Sequence, residues 1–378
     1  MSSKKKYPFV SICTPTYNRR PFLPTMMECF YNQTYPRNRM EWIIVDDGTD
    51  SVEDVFKTAN IPEVQYFRMA KKMTLGAKRN LMHMKCKGSI IVYMDDDDYY
   101  PPERVSHAVE VLQNNPTALC AGSSEIYIYF NHLRKMYQAG PYGANHATAG
   151  TFAFRKELLL QTKYNENASL AEEKEFLKNY TIPFVQLDPL KTILVFSHSQ
   201  NTYDKKELLS MPNNLFLESN KTIEMFIKFS SEEKIKTFFL RDIENKLSAY
   251  KHGDPIMKPD VLKQMKELKA EREAMQQQMN SGGGQIMMQR PGEEPRPIHP
   301  QELVEIIQAQ QSDNHKLSER LELLIKTHEA ELLQMSQKIA QLENIIKTMP
   351  AVSDKCTIIT QQQSMSKVKP EIYVELPN

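Results

Sequence analysis

Short apolar runs alternate with longer segments of helical spacing through the first half of the chain. Phe9 to Cys13 is such a run, ending in Thr14-Pro15-Thr16-Tyr17-Asn18, and a helix is expected across Phe22 to Gln33. Trp42 to Val45 reads as a second strand, ending in Asp46-Asp47-Gly48-Thr49, with Ser51 placed to cap a helix through Lys57. Val64 to Met69 is a third strand, and Leu75 to Met84, opened near Gly76, another helix. Gly88 to Met94 is the clearest strand; it ends in Asp95-Asp96-Asp97-Asp98, and Pro101-Pro102 stands where a helix to Leu112 begins. This alternation predicts an α/β fold with a mostly parallel sheet covered by helices on both faces.

Three polar clusters fall directly after a predicted strand, at its carboxyl end. In open α/β sheets that edge is where ligands bind. Four consecutive carboxylates there need a physical account, because two like charges about 4 Å apart repel by roughly 1 kcal/mol in water and about 4 kcal/mol near a protein surface. The cluster therefore titrates, splays into solvent as an acidic turn capping the next helix, or binds a cation. Oxygen ligands of this hardness suit Mg²⁺ or Mn²⁺, above all when a substrate diphosphate adds further oxygens. An aspartyl-phosphate phosphatase would place Asp-x-Asp-x-Thr after its first strand; here the fifth residue is Tyr99 and the strand is the fourth.

The second half differs in texture. From 211 to 280 the pattern is helical and strongly charged, and Ser281-Gly282-Gly283-Gly284 with the Pro-rich Arg290 to Pro300 forms a linker over 281–300. Leu303, Ile307, Gln310, Asn314, Leu317, Leu321, Leu324 and His328 then recur at alternating spacings of four and three. The repeat resumes out of phase as Leu332, Met335, Ile339, Leu342, Ile346 and Met349, which predicts a coiled coil over 301–349 with one stutter. Asn314 at an a position favours a parallel homodimer; the other reading is a helix packed on its own catalytic domain. A flexible tail is expected over 350–378.

Composition narrows the function classes. Lys and Arg number 48 against 47 Asp and Glu, a net charge of +1, so no global basic field argues for nucleic acid. No stretch approaches the roughly 20 apolar residues of a membrane span. Lys4-Lys5-Lys6 is not followed by the apolar core of a signal peptide. The five cysteines, Cys13, Cys29, Cys86, Cys120 and Cys356, are scattered and form no C-x-x-C. A reduced, cytoplasmic protein is the expectation.

Residues 8 to about 204 resemble family 2 glycosyltransferases with the GT-A fold. The resemblance rests on ordered motifs: Val10-Ser11-Ile12-Cys13-Thr14-Pro15-Thr16-Tyr17-Asn18-Arg19, Ile43-Ile44-Val45-Asp46-Asp47-Gly48-Thr49, Leu75-Gly76-Ala77-Lys78-Arg79-Asn80 and Val92-Tyr93-Met94-Asp95-Asp96-Asp97-Asp98. It implies a GT-A, Rossmann-like domain over 1–210, followed by a helical extension over 211–280. It further implies that Thr14, Pro15, Thr16, Tyr17 and Asp46 hold the base and ribose of a nucleoside diphosphate, uridine being the commonest, with Arg79 near base or phosphates. Asp95-x-Asp97 would be the DxD motif, Asp97 on Mn²⁺ or Mg²⁺ and Asp95 or Asp96 on ribose or metal. The run from Ala171 to Leu177 resembles the family's Glu-Asp motif, which makes Glu173, and next to it Glu172, the expected general base of an inverting transfer. Glu stands here where Asp is usual, and an acidic helix start favoured by the helix dipole is the other reading. His198, in Phe196-Ser197-His198-Ser199-Gln200-Asn201-Thr202, resembles a metal-binding histidine. Gly150 to Arg155 resembles the acceptor-side strand. The expected partners are a nucleoside-diphosphate sugar and a glycan or glycoprotein acceptor. The lack of a signal sequence also resembles glycosyltransferases of large DNA viruses.

Two other functions fit parts of the pattern. A nucleotidyltransferase usually carries a Gly-rich loop after its first strand, and Thr14 to Arg20 has no glycine. A non-catalytic GT-A scaffold oligomerised by the coiled coil would not need Asp97, Glu173 and His198.

Overall fold

The computed structural model describes residues 7–170, 173–202, 204–210 and 215–281, together with 287–288, 296–297 and scattered positions between 302 and 342. It comprises two compact units, Met1–Asn280 and Ser281–Asn378.

The first unit is a mixed α/β structure with a mostly parallel sheet. Its strands are β1 (Val10–Thr16), β2 (Met40–Asp46), β3 (Val64–Arg68), β4 (Ile90–Tyr93), β5 (Cys120–Gly122), β8 (Ala153–Arg155) and β9 (Phe184–Gln186). They lie in the order β3-β2-β1-β4-β8-β5-β9. Neighbours run parallel except at β8, which opposes both β4 and β5. The central strands are continuous apolar runs because both faces are covered: every residue of β2 and β4 is buried. On one face Trp42 stacks on Phe30 at 4.5 Å. On the other, Tyr93, Phe154, Tyr164 and Phe176 surround His83.

Helices α1 (Leu23–Tyr31), α2 (Glu53–Ala59), α3 (Leu75–Lys85) and α4 (Arg104–Asn114) follow the polar clusters as the sequence pattern predicts. The α3 start is capped by Thr74, whose hydroxyl accepts from the Ala77 N–H at 3.3 Å. The α2 start falls later than expected. Val52 is its N-cap: the Ser51 hydroxyl meets the Tyr66 hydroxyl at 3.2 Å and the Glu53 N–H only at 3.4 Å, and Asp46 takes the Val52 N–H. The short helix α5 (Glu173–Phe176) is followed by three successive residues in the left-handed region, Lys178, Asn179 and Tyr180.

A second, four-stranded sheet was not foreseen from the sequence. It has the order β10 (Leu194–Ser197), β6 (Ile126–Phe130), β7 (Lys135–Ala139), β11 (Phe216–Glu218). Its strands are three to five residues long, too short for periodicity to declare them. Rings hold it together: Tyr137 and Phe216 stack at 5.2 Å across β7 and β11. The stretch 211–280 thus contributes a strand as well as α6 (Glu233–Thr237), α7 (Ile243–Ser248) and α8 (Pro259–Ser281), with a π-helical turn at Phe238–Asp242. It packs into the first unit: Tyr99, beside the aspartate run, donates to Glu232 at 2.7 Å and to the Phe226 carbonyl at 3.2 Å.

In the second unit 330–342 is helical and exposes Leu332, Met335, Ile339 and Leu342. Asn314 and the greater part of the expected coiled coil, the greater part of the linker and the tail 350–378 lie outside the described residues. Cys13, Cys29, Cys86 and Cys120 are buried free thiols, and Cys356 lies outside the description. No helix of the described residues is long and apolar enough to cross a membrane.

Candidate active site

The carboxyl ends of β1 and β4, the loop before α3 and the start of α3 open on one cleft. Pro15, Tyr17, Arg19, Lys78, Arg79, Asp95, Asp96 and Asp97 line it, with Lys258 and Asp260 from the α8 start. The strands stop here for a plain reason: their next residues carry charge or hydroxyls that the apolar layers cannot accept.

Asp97 is the electrostatic focus. Its carboxylate faces the Arg19 guanidinium at 3.0 Å and His198 Nε2 at 3.4 Å. Burial alone would raise Asp97, but Arg19, then His198, hold it well below the usual carboxylate range. Asp96 lies 3.5 Å from Arg19 Nε, and burial pushes it up to about 7 against that pairing. Arg19 also donates to the Gln200 carbonyl at 2.7 Å, so a single buried guanidinium ties the aspartate run to the turn after β10. Asp95 is held differently. Its N–H donates to the Tyr100 hydroxyl at 2.8 Å, and a Cβ at Gly150 would stand 2.9 Å from its carboxylate, so position 150 tolerates no side chain without displacing it.

His198 is buried, and burial holds it down to about 4, hence neutral at physiological pH. Its Nδ1 accepts from the Gln200 N–H at 3.2 Å, and its Nε2 faces both the Asn201 amide nitrogen at 2.7 Å and Asp97 at 3.4 Å. Among the described residues no group of three or more His, Cys, Asp or Glu side chains is placed to hold a metal ion. Asp97 and His198 are the two donors that converge.

The other expected nucleotide contacts divide into two sets. Pro15, Tyr17 and Arg79 line the cleft. Arg79 is buried against Tyr93 and Tyr164, 4.7 and 5.3 Å from their ring centres, and donates to the Tyr164 hydroxyl at 3.3 Å. Thr14 turns inward: its hydroxyl donates to the Met94 carbonyl at 2.6 Å and accepts from Trp42 Nε1 at 2.8 Å. Thr16 is likewise buried, its hydroxyl close enough to Asp96 to favour the ionised carboxylate there. Asp46 is fully buried, accepting from the Gly48 N–H at 2.8 Å, the Val52 N–H at 3.1 Å and the Tyr66 hydroxyl at 2.6 Å. Its neighbour Asp47 pairs with Lys78 and accepts from the Met73 N–H at 2.6 Å. Gly48 is required by close approach, since a Cβ there would meet the Asn18 nitrogen at 2.7 Å.

Glu173 opens α5 and is half-buried, outside the cleft lining. Its charge acts on Tyr180, whose hydroxyl is raised first by burial and then by Glu173. Tyr180 in turn lies against His146, ring centres 5.0 Å apart. Glu172 lies outside the described residues.

The sequence reading gave no role to Arg19, Lys78 or Lys258. The first two stand inside quoted motifs, directly after or among residues that were assigned. Lys258 carries no such signal. It reaches the cleft only through the path of the chain after β11.

Residues 11–172 match the model of Glycosyl transferase family 2. Among curated relatives, an uncharacterized glycosyltransferase of Haemophilus influenzae is 31% identical over 28% of this chain and 35% of its own length. The chondroitin synthase of Escherichia coli is 29% identical over 31% of this chain and 17% of its own. The chain therefore spans about a third or less of these relatives. Among solved structures, a mannosyltransferase from Pyrobaculum calidifontis in complex with GDP-Man and Mn2+ is similar, with a TM-score of 0.41 and 17% identity over 50% of this chain and 57% of that one. A likeness of that size carries nothing for the site. The family match and the named relatives support a glycosyltransferase.

Proposed function

We propose that the first unit transfers a sugar, with inversion, from a nucleoside-diphosphate sugar to an acceptor hydroxyl. The observation that carries this reading is the convergence of Asp95, Asp96 and Asp97 with Arg19, Lys78, Arg79 and His198 at one sheet edge, within the segment and turn that the family motifs occupy. Acids alone would repel a diphosphate; here cations stand among them, each already placed by a buried partner.

Asp97 and His198 fit a divalent ion of the Mg²⁺ or Mn²⁺ type. One is a carboxylate held ionised, the other a neutral imidazole, and two protein ligands suffice where substrate oxygens and water complete the shell. For His198 Nε2 to ligate, Nδ1 must carry the proton, so the contact from the Gln200 N–H gives way. When bound, the ion supplies Lewis-acid stabilisation of charge on the departing nucleotide. Tyr17 and Pro15 offer a face for the base, and Arg79, clamped by two rings, offers a fixed positive charge to the phosphates.

Glu173 is the proposed base. The acceptor oxygen bonds to the anomeric carbon as its proton passes to the Glu173 carboxylate; the anomeric carbon to phosphate-oxygen bond breaks, its electron pair leaving with the nucleoside diphosphate. Glu173→Gln should lower kcat by about 100- to 10,000-fold with donor affinity retained. A fall in donor affinity instead would remove Glu173 from this role.

The decisive experiment is a melting-shift screen of the full chain against UDP-, GDP- and other sugar nucleotides, with and without Mn²⁺. A donor at 100 times its dissociation constant stabilises by about 2.7 kcal/mol. A metal-dependent shift with one donor, lost in Asp97→Ala, supports the reading; no shift with any donor overturns it.

A further inference from the structure

Chain far beyond the matched residues returns to roof the cleft. The Tyr17 hydroxyl donates to the Met257 carbonyl at 2.9 Å. Asp260, in the first turn of α8, receives Lys72 at 2.6 Å and the Ser169 hydroxyl at 3.0 Å. Gln264, one turn on, accepts from the Ser169 N–H at 2.9 Å and donates to the Asn167 carbonyl at 2.7 Å. Five bonds from three parts of the sequence thus hold 257–264 across the opening, and they hold Lys258 at its centre.

Lys258 is an unusual group to bury. It is 6% exposed and lines the same cleft as Arg19, Lys78 and the three aspartates. Its ammonium has three N–H donors. The one side-chain hydrogen bond it makes among the described residues goes to the Thr202 hydroxyl, at 3.2 Å. It is in ion-pair contact with no described carboxylate. The neighbouring cations are differently placed: Arg19 is committed to Asp96 and Asp97, Lys78 to Asp47, and Lys72 to Asp260. Burial, with Arg19 nearby, lowers Lys258 to about 7 against the pull of Asp97 and Asp96, and a buried ammonium with donors to spare is costly unless an anion completes it.

We propose that Lys258 binds the diphosphate of the donor, its ammonium donating to phosphate oxygens and stabilising the nucleoside diphosphate as it departs. This rests on the glycosyl-transfer reading above and extends the binding site to a residue that the matched segment does not contain. The role is one of charge and reach, not of base recognition. It therefore predicts that affinity depends on Lys258 in proportion to the phosphates present.

The test uses the full chain with Mn²⁺ and titrates UDP, GDP, ADP and CDP calorimetrically, then the monophosphate of whichever base the wild type prefers. Lys258→Gln keeps a donor for Thr202 and removes the charge. It should weaken the diphosphate by about 10- to 100-fold, the span of one charge-assisted hydrogen bond, and the monophosphate much less. The wild-type preference for diphosphate over monophosphate should collapse accordingly. Lys258→Arg should restore most of that preference, which a merely structural role would not produce. Each variant is first melted without ligand; if Lys258→Gln melts well below the wild type, the preference ratio in the Arg variant and in Lys258→Met decides. Unchanged diphosphate affinity in a folded charge-removing variant overturns the role of Lys258 and leaves the glycosyl-transfer reading standing. A wild type that binds no nucleoside diphosphate overturns both.

Discussion

The ends of β2 and β4 look alike in sequence and behave as opposites in the structure. Each strand stops at consecutive aspartates, and each was expected to meet the donor. At β2 the carboxylate of Asp46 is consumed by two backbone N–H groups and the Tyr66 hydroxyl, and Asp47 by Lys78 and the Met73 N–H. At β4 the carboxylate of Asp97 meets side chains instead of backbone donors: Arg19, which lines the cleft, and the buried His198. Whether a strand-end acid is a ligand or a strut depends on how many backbone donors the following loop folds back onto it. The β2 loop returns tightly because Gly48 lets it pass close to Asn18.

The largest expected effect breaks the β4 side. Asp97→Asn should cut kcat/KM by about 100- to 1,000-fold, as loss of one preorganised charge does. Its melting temperature should change little, because Arg19 keeps Asp96 and the Gln200 carbonyl. The β2 side should break the other way. Asp46→Ala orphans two N–H groups and a hydroxyl, and a loss of about 3 kcal/mol is expected at roughly 1 kcal/mol or more each. That is a fall of about 6–12 °C in melting temperature, with the donor affinity of the remaining folded protein unchanged. Calorimetric melting and donor titration on the same samples separate the two; lost affinity with retained stability in Asp46→Ala would reverse the comparison.

A third measurement sharpens what supports the β4 end. His83 bonds the Tyr93 hydroxyl at 2.7 Å, and burial, with Arg79 behind it, holds His83 down to about 3. A histidine depressed on folding gives stability that is present in full above its unfolded pKa of about 6.5 and lost as pH falls toward 3. Of the stability lost between pH 6.5 and 5, about 2 kcal/mol is the share of His83, with buried His198 adding its own, and in stepped-pH denaturation His83→Phe should remove the His83 share. The smallest effect is Tyr66→Phe. It removes one of Asp46's three partners and should cost about 1 kcal/mol in the same denaturation assay, without touching donor affinity.

What was legible in the sequence follows from scale. β1, β2 and β4 are buried on both faces, so their apolar runs end sharply at polar residues, and Pro101-Pro102 marks the approach to α4. The cleft residues Asp95, Asp96 and Asp97 were readable because they sit at the end of β4, and Arg79 because it stands in a motif at the start of α3. The second sheet was not, since strands such as Phe216–Glu218 are too short to establish a period. Nor was the inward turn of Thr14 and Asp46, which depends on Trp42 and Tyr66 arriving from other strands. Lys258 was invisible for the same reason at longer range: it acts across 56 residues from Thr202, and no local pattern encodes that return.

The tie from Tyr99 to Glu232 and the Phe226 carbonyl bears on where the gene can be cut. The segment recognisable by descent stops near 172, while the segment that closes its own core runs to about 280. A clone ending at 210 would carry every motif on which the resemblance rests and the whole matched segment. It would also leave Tyr99, buried one residue past the aspartate run, without Phe226 and Glu232, which its hydroxyl meets. Inactivity in such a fragment would say nothing about the activity of the whole first unit, because the roof is lost while the floor is kept.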